Sequence, residues 1–344
     1  MSVIASARRT RSNPLRRLLV RPETGAVVGS AAVWIFFAIV AGSYGFVSSL
    51  GASSYLSVSA ELAIQAVPVA LLMIGGEFDL SVGSTVGATG MLIAILTTHY
   101  GWNVWAAIVA ALAFAVVIGC VNGYLVLRTG LPSFIVTLGT AYILLGTTTG
   151  LTAQLTGLTV VNGVDQAPGF ASARAIFATA LGGGQLYPVE VLWALALVVL
   201  ATWLLLGTSF GNWIFGVGGD ANAARNIGVP VRRVKVLLFI GTALGSCLLA
   251  IIQTMTFTNA DVLRGQGNEF YAIVSAVIGG VLLTGGYGSA IGAMFGALAF
   301  GIVEEGIVFA GVDANWYKAV VGVILLLAVL LNSYVRKLAL EARR

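Results

Sequence analysis

Charged residues are scarce in this sequence: they make up 9% of its 344 residues, whereas 58% of the residues are hydrophobic. This composition excludes a soluble globular domain, because the surface of such a domain needs many more polar groups. Stretches of about 18 or more apolar residues with few charges recur along the chain, and each is long enough for a transmembrane helix. The sequence therefore predicts an all-α polytopic membrane protein.

Cysteine and lysine are also rare. The two cysteines, Cys120 and Cys247, lie alone within apolar stretches, which excludes a metal-binding or redox motif built on paired cysteines. None of the three lysines, Lys235, Lys318 and Lys337, stands in the Gly-Lys-Ser or Gly-Lys-Thr context of a phosphate-binding loop. The chain also lacks a recognisable pairing of a nucleophile with a base. We therefore expect no catalytic residue, no cofactor and no metal site, and any ATP hydrolysis must come from another chain.

The apolar stretches predict about ten transmembrane helices in one domain of residues 27–334. Each has roughly the 20 residues needed to cross about 30 Å of hydrocarbon. The predicted spans cover residues 27–47, 56–74, 80–98, 103–122, 132–150, 187–206, 234–257, 270–284, 287–311 and 316–334.

The positive charges predict the orientation of these spans. If the N-terminus is cytoplasmic, all basic residues except Arg174, Arg264 and Lys318 lie on the inner side, as the positive-inside rule requires. The basic arm of residues 1–26 and the tail of residues 335–344 are then both cytoplasmic. The loop of residues 151–186 is external. A basic arm beside anionic lipid explains the net charge of +5 without a nucleic-acid partner.

A polar segment, "GGDANAARNIGVP" at residues 218–230, lies within the predicted cytoplasmic loop of residues 207–233. Asp220 is a good N-cap for a helix of about two turns, and Gly228 suits the position after its end. Ala221, Ala224 and Ile227 recur at helical spacing and form a small apolar face. So short a helix needs a docking surface. That surface is the lipid headgroup region in one interpretation and a groove on a cytoplasmic partner in the other.

Four blocks of the sequence resemble one family of membrane proteins. "GNWIFGVGGDANAARNIGVPVRRVK" is similar to the coupling loop of permease subunits from ribose-, xylose- and arabinose-type ATP-binding-cassette (ABC) importers. The other matching blocks are "GGEFDLSVGSTVG" at 75–87, "VNGYLVLRTGLPSFIVTLGT" at 121–140 and "EFYAIVSAVIGGVLLTGGYGSAIGAMFGAL" at 269–298.

The resemblance implies the ABC importer permease fold in a bacterial inner membrane. It implies a second permease subunit, ATPase subunits on the cytoplasmic side, and a periplasmic or lipid-anchored solute-binding protein on the outer side. Carried over to this chain, the coupling residues are Gly218, Gly219, Asp220, Ala223, Ala224, Arg225 and Gly228. We expect Arg232, Arg233 and Lys235, which follow them, to anchor the next span at the lipid headgroups; the alternative is a contact with a partner.

Polar residues within the spans are candidates for the solute pathway or its gate. Glu77, Asp79 and Ser81 lie where the second span meets the third, and Asp79 is expected to cap the third span. The remaining candidates are Asn122, Glu304 and Glu305. The last two lie near the middle of the ninth span, where ionisable groups are costly and are often functional. They have three interpretations: a protonated carboxyl bonded to a neighbouring helix, a polar lining of the pathway, or a proton-coupling site.

These observations favour an importer permease for a small sugar or sugar-like solute, powered by a separate ATPase. Two alternatives remain open. One is a secondary transporter driven by protons through Glu61, Glu304 or Glu305, and the other is an ABC permease for nucleosides or branched-chain amino acids.

Overall fold

The computed structural model describes residues 22–181 and 187–313, together with residues 316, 318–320, 322–323 and 326–327. Most of the predicted arm of residues 1–26, most of the tenth span at 316–334, and the tail of residues 335–344 lie outside the described residues. Helix α1 begins at Pro22, earlier than the first predicted span.

The described part of the chain is mostly helical, as predicted. Its helices are α1 (Pro22–Val40), α2 (Ser49–Ile74), α3 (Val82–Thr98), α4 (Val104–Thr129), α5 (Ser133–Thr156), α6 (Phe170–Phe177), α7 (Glu190–Gly207), α8 (Ser209–Gly219), α9 (Ala221–Asn226), α10 (Val231–Phe257), α11 (Asn268–Ile278) and α12 (Ala290–Phe309). Four short strands accompany them: β1 (Val160–Asn162), β2 (Ala180–Leu181), β3 (Tyr187–Pro188) and β4 (Asn259–Asp261).

Seven of the described helices are long and apolar enough to cross a membrane: α1, α2, α4, α5, α7, α10 and α12. They match seven of the ten predicted spans, so the polytopic all-α class is confirmed. The predicted spans at 80–98 and 270–284 correspond to shorter helices, since α3 has 17 residues and α11 has only 11. The prediction of a full eighth span over residues 270–284 is therefore wrong in length.

The two predicted loops are more ordered than the sequence indicated. In the region 151–186, α5 continues to Thr156, β1 pairs antiparallel with β4, and α6 buries Phe170, Ala173 and Phe177. In the region 207–233, α8 occupies Ser209–Gly219 before α9 begins. Gly, Ser and Thr lowered the apolar signal in these segments, but packing against the bundle stabilises their helices.

Helices α2 and α10 form the centre of the bundle. Residues 59–60 and 62–74 of α2 are buried, and α10 is buried along most of its length. Helix α2 packs against α11 and α12, while α10 packs against α3 and α4. Gly245 of α10 allows close approach, because a Cβ there would lie 2.8 Å from the Pro68 ring.

Helix α3 begins inside the bundle because the chain turns back after α2. Gly76, with φ of +84°, ends α2. The segment 75–81 then returns along the bundle, so that Gln65 Nε2 donates a hydrogen bond of 3.2 Å to Val82 O at the start of α3. Gln65 lies about 14 Å from the end of α2, at about 1.5 Å per residue. The first residues of α3 therefore lie well within the membrane-spanning layer.

Helix α11 begins inside the bundle in the same way. After β4, residues 262–267 run back alongside α3 toward its N-terminus. A Cβ on Gly90 would lie 3.3 Å from Thr254 Oγ1, and one on Gly87 would lie 2.7 Å from Val262 O. A Cβ on Gly83 would overlap with Gly265 and with the Glu269 carboxylate. The N-termini of α3 and α11 therefore meet in the interior.

Candidate coupling site

The N-terminus of the short helix α9 is capped as the sequence predicted. Asp220 is its N-cap residue and has an extended backbone. Oδ1 of Asp220 accepts hydrogen bonds from the backbone N–H groups of Asn222 at 2.8 Å and Ala223 at 3.0 Å. These bonds satisfy donors that have no partner within the helix.

The C-terminus of α9 is closed by a Schellman motif. Gly228 has φ of +89°, which favours glycine. Its N–H donates to Arg225 O at 3.0 Å, and the N–H of Val229 donates to Ala224 O at 3.0 Å. Pro230 follows and prevents the helix from continuing. The N–H and C=O groups at the ends of α9 therefore find hydrogen-bond partners within residues 220–229, as the sequence predicted.

The predicted apolar face of α9 is divided by its packing. Ala224 is only 4% exposed, and its Cβ lies 3.9 Å from the position that a Cβ on Gly216 of α8 would take. Ile227 is 82% exposed. Ala224 thus contacts its own protein and is not available to a partner, which corrects the expectation for that residue. The side chains that α9 presents outward include those of Ala223, Arg225 and Ile227.

A basic cleft lies beside α9. It has a volume of about 340 Å³ and is lined by Arg225, Val229, Pro230, Val231, Arg232 and Arg233. The three arginines are exposed. The outward surface at this end of the bundle therefore combines an apolar side chain, Ile227, with a concentration of positive charge.

The segment before α9 is held in a junction of three glycine pairs. A Cβ on Gly218 would overlap with Ile74 O and would lie 2.6 Å from Gly286 N. The Gly286 N–H donates to Ile74 O at 2.8 Å. A Cβ on Gly285 would lie 2.8 Å from Gly218 O. We call residues 74–76, 218–219 and 285–286 the glycine junction; it brings the start of α9 against the end of α2 and the loop between α11 and α12.

The turn between α2 and α3 is pinned to α10 through Asp79. This carboxylate is 1% exposed. Its Oδ1 accepts from Ser81 N at 2.9 Å and Ser81 Oγ at 2.6 Å, and its Oδ2 accepts from Thr242 Oγ1 at 2.6 Å. Asn122 Nδ2 of α4 donates to Ser81 Oγ at 2.8 Å. Asp79 therefore links the turn to α10. It accepts no hydrogen bond from the first N–H groups of α3, so the expectation that it caps this helix is wrong.

Helix α5 completes the support of the same turn. The N–H of Phe78 donates to Ser133 Oγ at 2.9 Å, and the N–H of Leu80 donates to Thr137 Oγ1 at 3.0 Å. These bonds satisfy backbone groups that have left a helix within the bundle. An unpaired N–H group there would cost several kcal/mol (~2–7).

An ion pair between Glu77 and Lys235 joins the turn to the first residues of α10. Glu77 is 8% exposed. Lys235 was expected to anchor α10 at lipid headgroups, and this contact corrects that expectation. Arg232 and Arg233 are exposed at the same end of the helix. The ion pair lies about 6 Å along α10 from Val231, at 1.5 Å per residue.

The structure separates the candidate pathway residues into two groups. Glu77, Asp79, Ser81 and Asn122 lie together around the turn between α2 and α3. Glu304 and Glu305 lie on α12, about 21 Å along the helix from Ala290, and both are half-buried. Glu304 and Glu305 thus lie beyond the middle of α12, on the side away from the glycine junction.

The sequence did not reveal several partners in these networks. Thr242, Ser133 and Thr137 are ordinary residues of apolar helices, and no local pattern distinguishes them from threonines and serines that bond only to their own helix. Only a weak pattern pointed to Gly285 and Gly286. In residues 269–286 an acidic residue, an apolar stretch and a glycine pair follow one another as they do in residues 61–76.

Comparison with known proteins places these features in a family. The profile of the family described as "Branched-chain amino acid transport system / permease component" matches residues 51–329. This range includes the turn at 75–81, α9 and the loop at 285–286. No solved structure matches the chain.

Individual relatives cover most of the chain at moderate identity. A probable ABC transporter permease protein of Sinorhizobium fredii is 32% identical, over 80% of this chain and 79% of the relative. The ribose import permease protein RbsC of Escherichia coli is 32% identical, over 79% and 82%. The autoinducer 2 import system permease protein LsrD of Photorhabdus laumondii is 31% identical, over 78% of each chain.

Proposed function

This chain belongs to the family of ABC transport-system permease components, and from that premise we propose how it is coupled to its partners. The chain is a membrane-spanning transport subunit of an ABC importer and is not an enzyme. Our proposal concerns the docking helix, the route of the motion, the solute and the assembly.

Helix α9 is the proposed docking element for a cytoplasmic ATPase subunit. It is short, closed at both ends by its own caps, and exposes Ile227 at 82%. An exposed apolar side chain on a rigid turn suits a groove on a partner. The arginines of the basic cleft, Arg225, Arg232 and Arg233, would complement acidic groups at the rim of that groove.

The observation that carries this proposal is the glycine junction. Gly218 and Gly219 directly precede the N-cap Asp220, and a Cβ on Gly218 would overlap with Ile74 of α2. Backbone packed against backbone leaves little room for α9 to move alone. A displacement of α9 by the ATPase would therefore also move two connecting segments, residues 75–81 between α2 and α3 and residues 279–289 between α11 and α12.

The solute in this proposal is a small sugar or sugar-like molecule. Two relatives are named for the import of ribose and of autoinducer 2. The family description names branched-chain amino acids instead. Transport of an amino acid would therefore contradict this part of the proposal.

The proposed assembly contains two permease subunits in a bacterial inner membrane, with α9 on the cytoplasmic side. A periplasmic or lipid-anchored binding protein would then approach the end that carries the β1–β4 pair. Large apolar side chains are exposed on α1, α5 and α7, including Ile39, Tyr142 and Val199. Such a surface requires lipid or a second subunit.

Uptake by reconstituted vesicles tests the proposal. The vesicles contain the permease and its ATPase, with the binding protein and radiolabelled D-ribose outside, and a matched preparation contains a catalytically inactive ATPase. We expect uptake that requires the active ATPase and persists with a protonophore. Uptake that survives the inactive ATPase and stops with the protonophore would reject an ATP-driven importer.

A further inference from the structure

Six polar side chains surround the place where α3 and α11 begin, and none of them belongs to the coupling site. They come from α2, α10, the segment 262–267, α11 and α12, and they are Glu61, Gln253, Arg264, Glu269, Tyr271 and Glu304. We call them the interior polar site.

Contacts and electrostatic interactions connect these six residues. Gln253 Nε2 donates to Glu61 Oε2 at 2.7 Å. Glu61 also lies within electrostatic range of Glu190, Arg264 and Glu304. Tyr271 lies within range of Glu304 and Glu269. The six residues therefore form one site, although they are spread over more than two hundred positions of the sequence.

The interior polar site lies near the middle of the membrane. Helix α11 has 11 residues, so its N-terminus is about 16 Å from the end that leads to the glycine junction. The hydrocarbon layer is about 30 Å thick. Glu269 on the first turn of α11 is therefore close to the midplane, adjacent to Gly83 at the start of α3.

The site is neither sealed in the protein nor suited to lipid. Glu61, Arg264, Glu269, Tyr271 and Glu304 are all partly exposed. A charged side chain facing lipid at this depth would cost roughly 2.5–3.5 kcal/mol or more. This face of the chain must therefore be covered by water in a pathway or by polar groups.

A buried acceptor at the site also lacks a donor. Gln253 is only 9% exposed, and its Oε1 has no hydrogen-bond partner among the described residues. Its amide nitrogen is already bonded to Glu61, so the free oxygen lies beside the same carboxylate. An unpaired buried carbonyl oxygen is costly, and a hydroxyl group that donates to it would remove that cost.

We propose that the interior polar site contacts the transported solute, and that this solute is neutral and carries several hydroxyl groups. Three carboxyl groups and one guanidinium disfavour an anion. Carboxylate and amide oxygens accept hydrogen bonds from hydroxyl groups, while Tyr271 and Arg264 supply donors. The abutting N-termini of α3 and α11 resemble the interrupted helices that form central binding sites in other transporters. The inference rests on the proposed function only in requiring a solute pathway.

Cysteine accessibility in the assembled importer tests this inference. Glu269→Cys and Gln266→Cys are made in a background without Cys120 and Cys247, and Val199→Cys on the apolar face of α7 is the control. Gln266 is exposed beside the site, so it gives the same information if Glu269→Cys fails to fold. The labels are a cationic and an anionic methanethiosulfonate reagent, both unable to cross the membrane.

We expect both site cysteines to react, with a preference for the cationic reagent severalfold greater than that of a free thiol in solution, and Val199→Cys not to react. Adding Glu304→Gln should reduce the preference for the cation, and excess D-ribose should slow labelling severalfold. Site cysteines that stay unlabelled in an importer with ATP-dependent uptake would overturn the inference alone. Protection by choline but not by D-ribose would overturn the solute class. Uptake independent of the ATPase would instead overturn the proposed function.

Discussion

The carbonyl oxygen of Ile74 occupies the place where a side chain on Gly218 would begin. Ile74 is the last residue of α2, and Gly218 lies just before the N-cap of α9. Direct backbone contact therefore joins α9, the proposed docking helix, to the centre of the membrane domain.

Gly218→Ala should lower both stability and transport. Its Cβ would overlap with Ile74 and crowd Gly286, and overpacking of this kind typically costs about 1–3 kcal/mol. Gly219→Ala is the matched control, because a Cβ there has no described atom within 4 Å. We expect a lower melting temperature and weaker ATP-dependent uptake in the first variant only. Equal behaviour of the two variants would contradict the tight contact.

Ile227→Asp should uncouple the permease from its ATPase without unfolding it. Ile227 is 82% exposed, whereas Ala224 on the same helix is 4% exposed. A charge at Ile227 would remain in water in the free permease but would be buried in the docked complex. Ala224→Asp should instead destabilise the permease itself. Melting temperatures and co-purification with the ATPase separate these effects, and tight ATPase binding by Ile227→Asp would argue against docking through α9.

Thr242→Val should destabilise the turn between α2 and α3. It removes the hydroxyl that donates to the buried side chain of Asp79 at 2.6 Å, and leaving a buried acceptor without its donor costs about 1–3 kcal/mol. Thr97→Val is the control, because the hydroxyl of Thr97 is also buried but bonds only to carbonyl groups of its own helix. Thermal unfolding of the two purified variants measures the difference. The prediction fails if both lose the same small amount.

Exchanging the charges of Glu77 and Lys235 should restore part of the stability that either single reversal removes. Each single variant, Glu77→Lys or Lys235→Glu, places like charges in contact within a largely buried pair. The double variant rebuilds an ion pair, and coupling energies between contacting residues are about 0.5–3 kcal/mol. Glu77→Lys combined with Arg232→Glu serves as control, since Arg232 is exposed. A recovery as large in the control would show that net charge alone is responsible.

Much of the fold follows from local patterns in the sequence. Seven long apolar stretches became helices of spanning length, because burial in hydrocarbon forces the backbone to satisfy its own hydrogen bonds. The caps of α9 were also predictable, because Asp220 and Gly228 bond to atoms only two or three positions away. Local chemistry decides such features.

The lengths of α3 and α11 were less predictable. Their segments are as apolar as the full spans, and composition does not distinguish a helix that crosses the membrane from a chain that turns back within it. The hydrogen bond from Gln65 to Val82 and the close approach of Gly83 to Glu269 show where these helices begin. Glycine pairs at 75–76 and 279–280 marked the ends of α2 and α11, but not the direction that the chain takes afterwards.

The sequence by itself determined that this chain lies in a membrane, where most of its helices run, and that one capped helix interrupts them. Only the tertiary structure decided which residues meet: Gly218 with Ile74, Asp79 with Thr242, and Glu61 with Gln253. Hydrophobic periodicity constrains neighbours along one helix. Contacts between distant segments depend instead on how several helices pack at once, and each of these residues has many equivalents elsewhere in the chain.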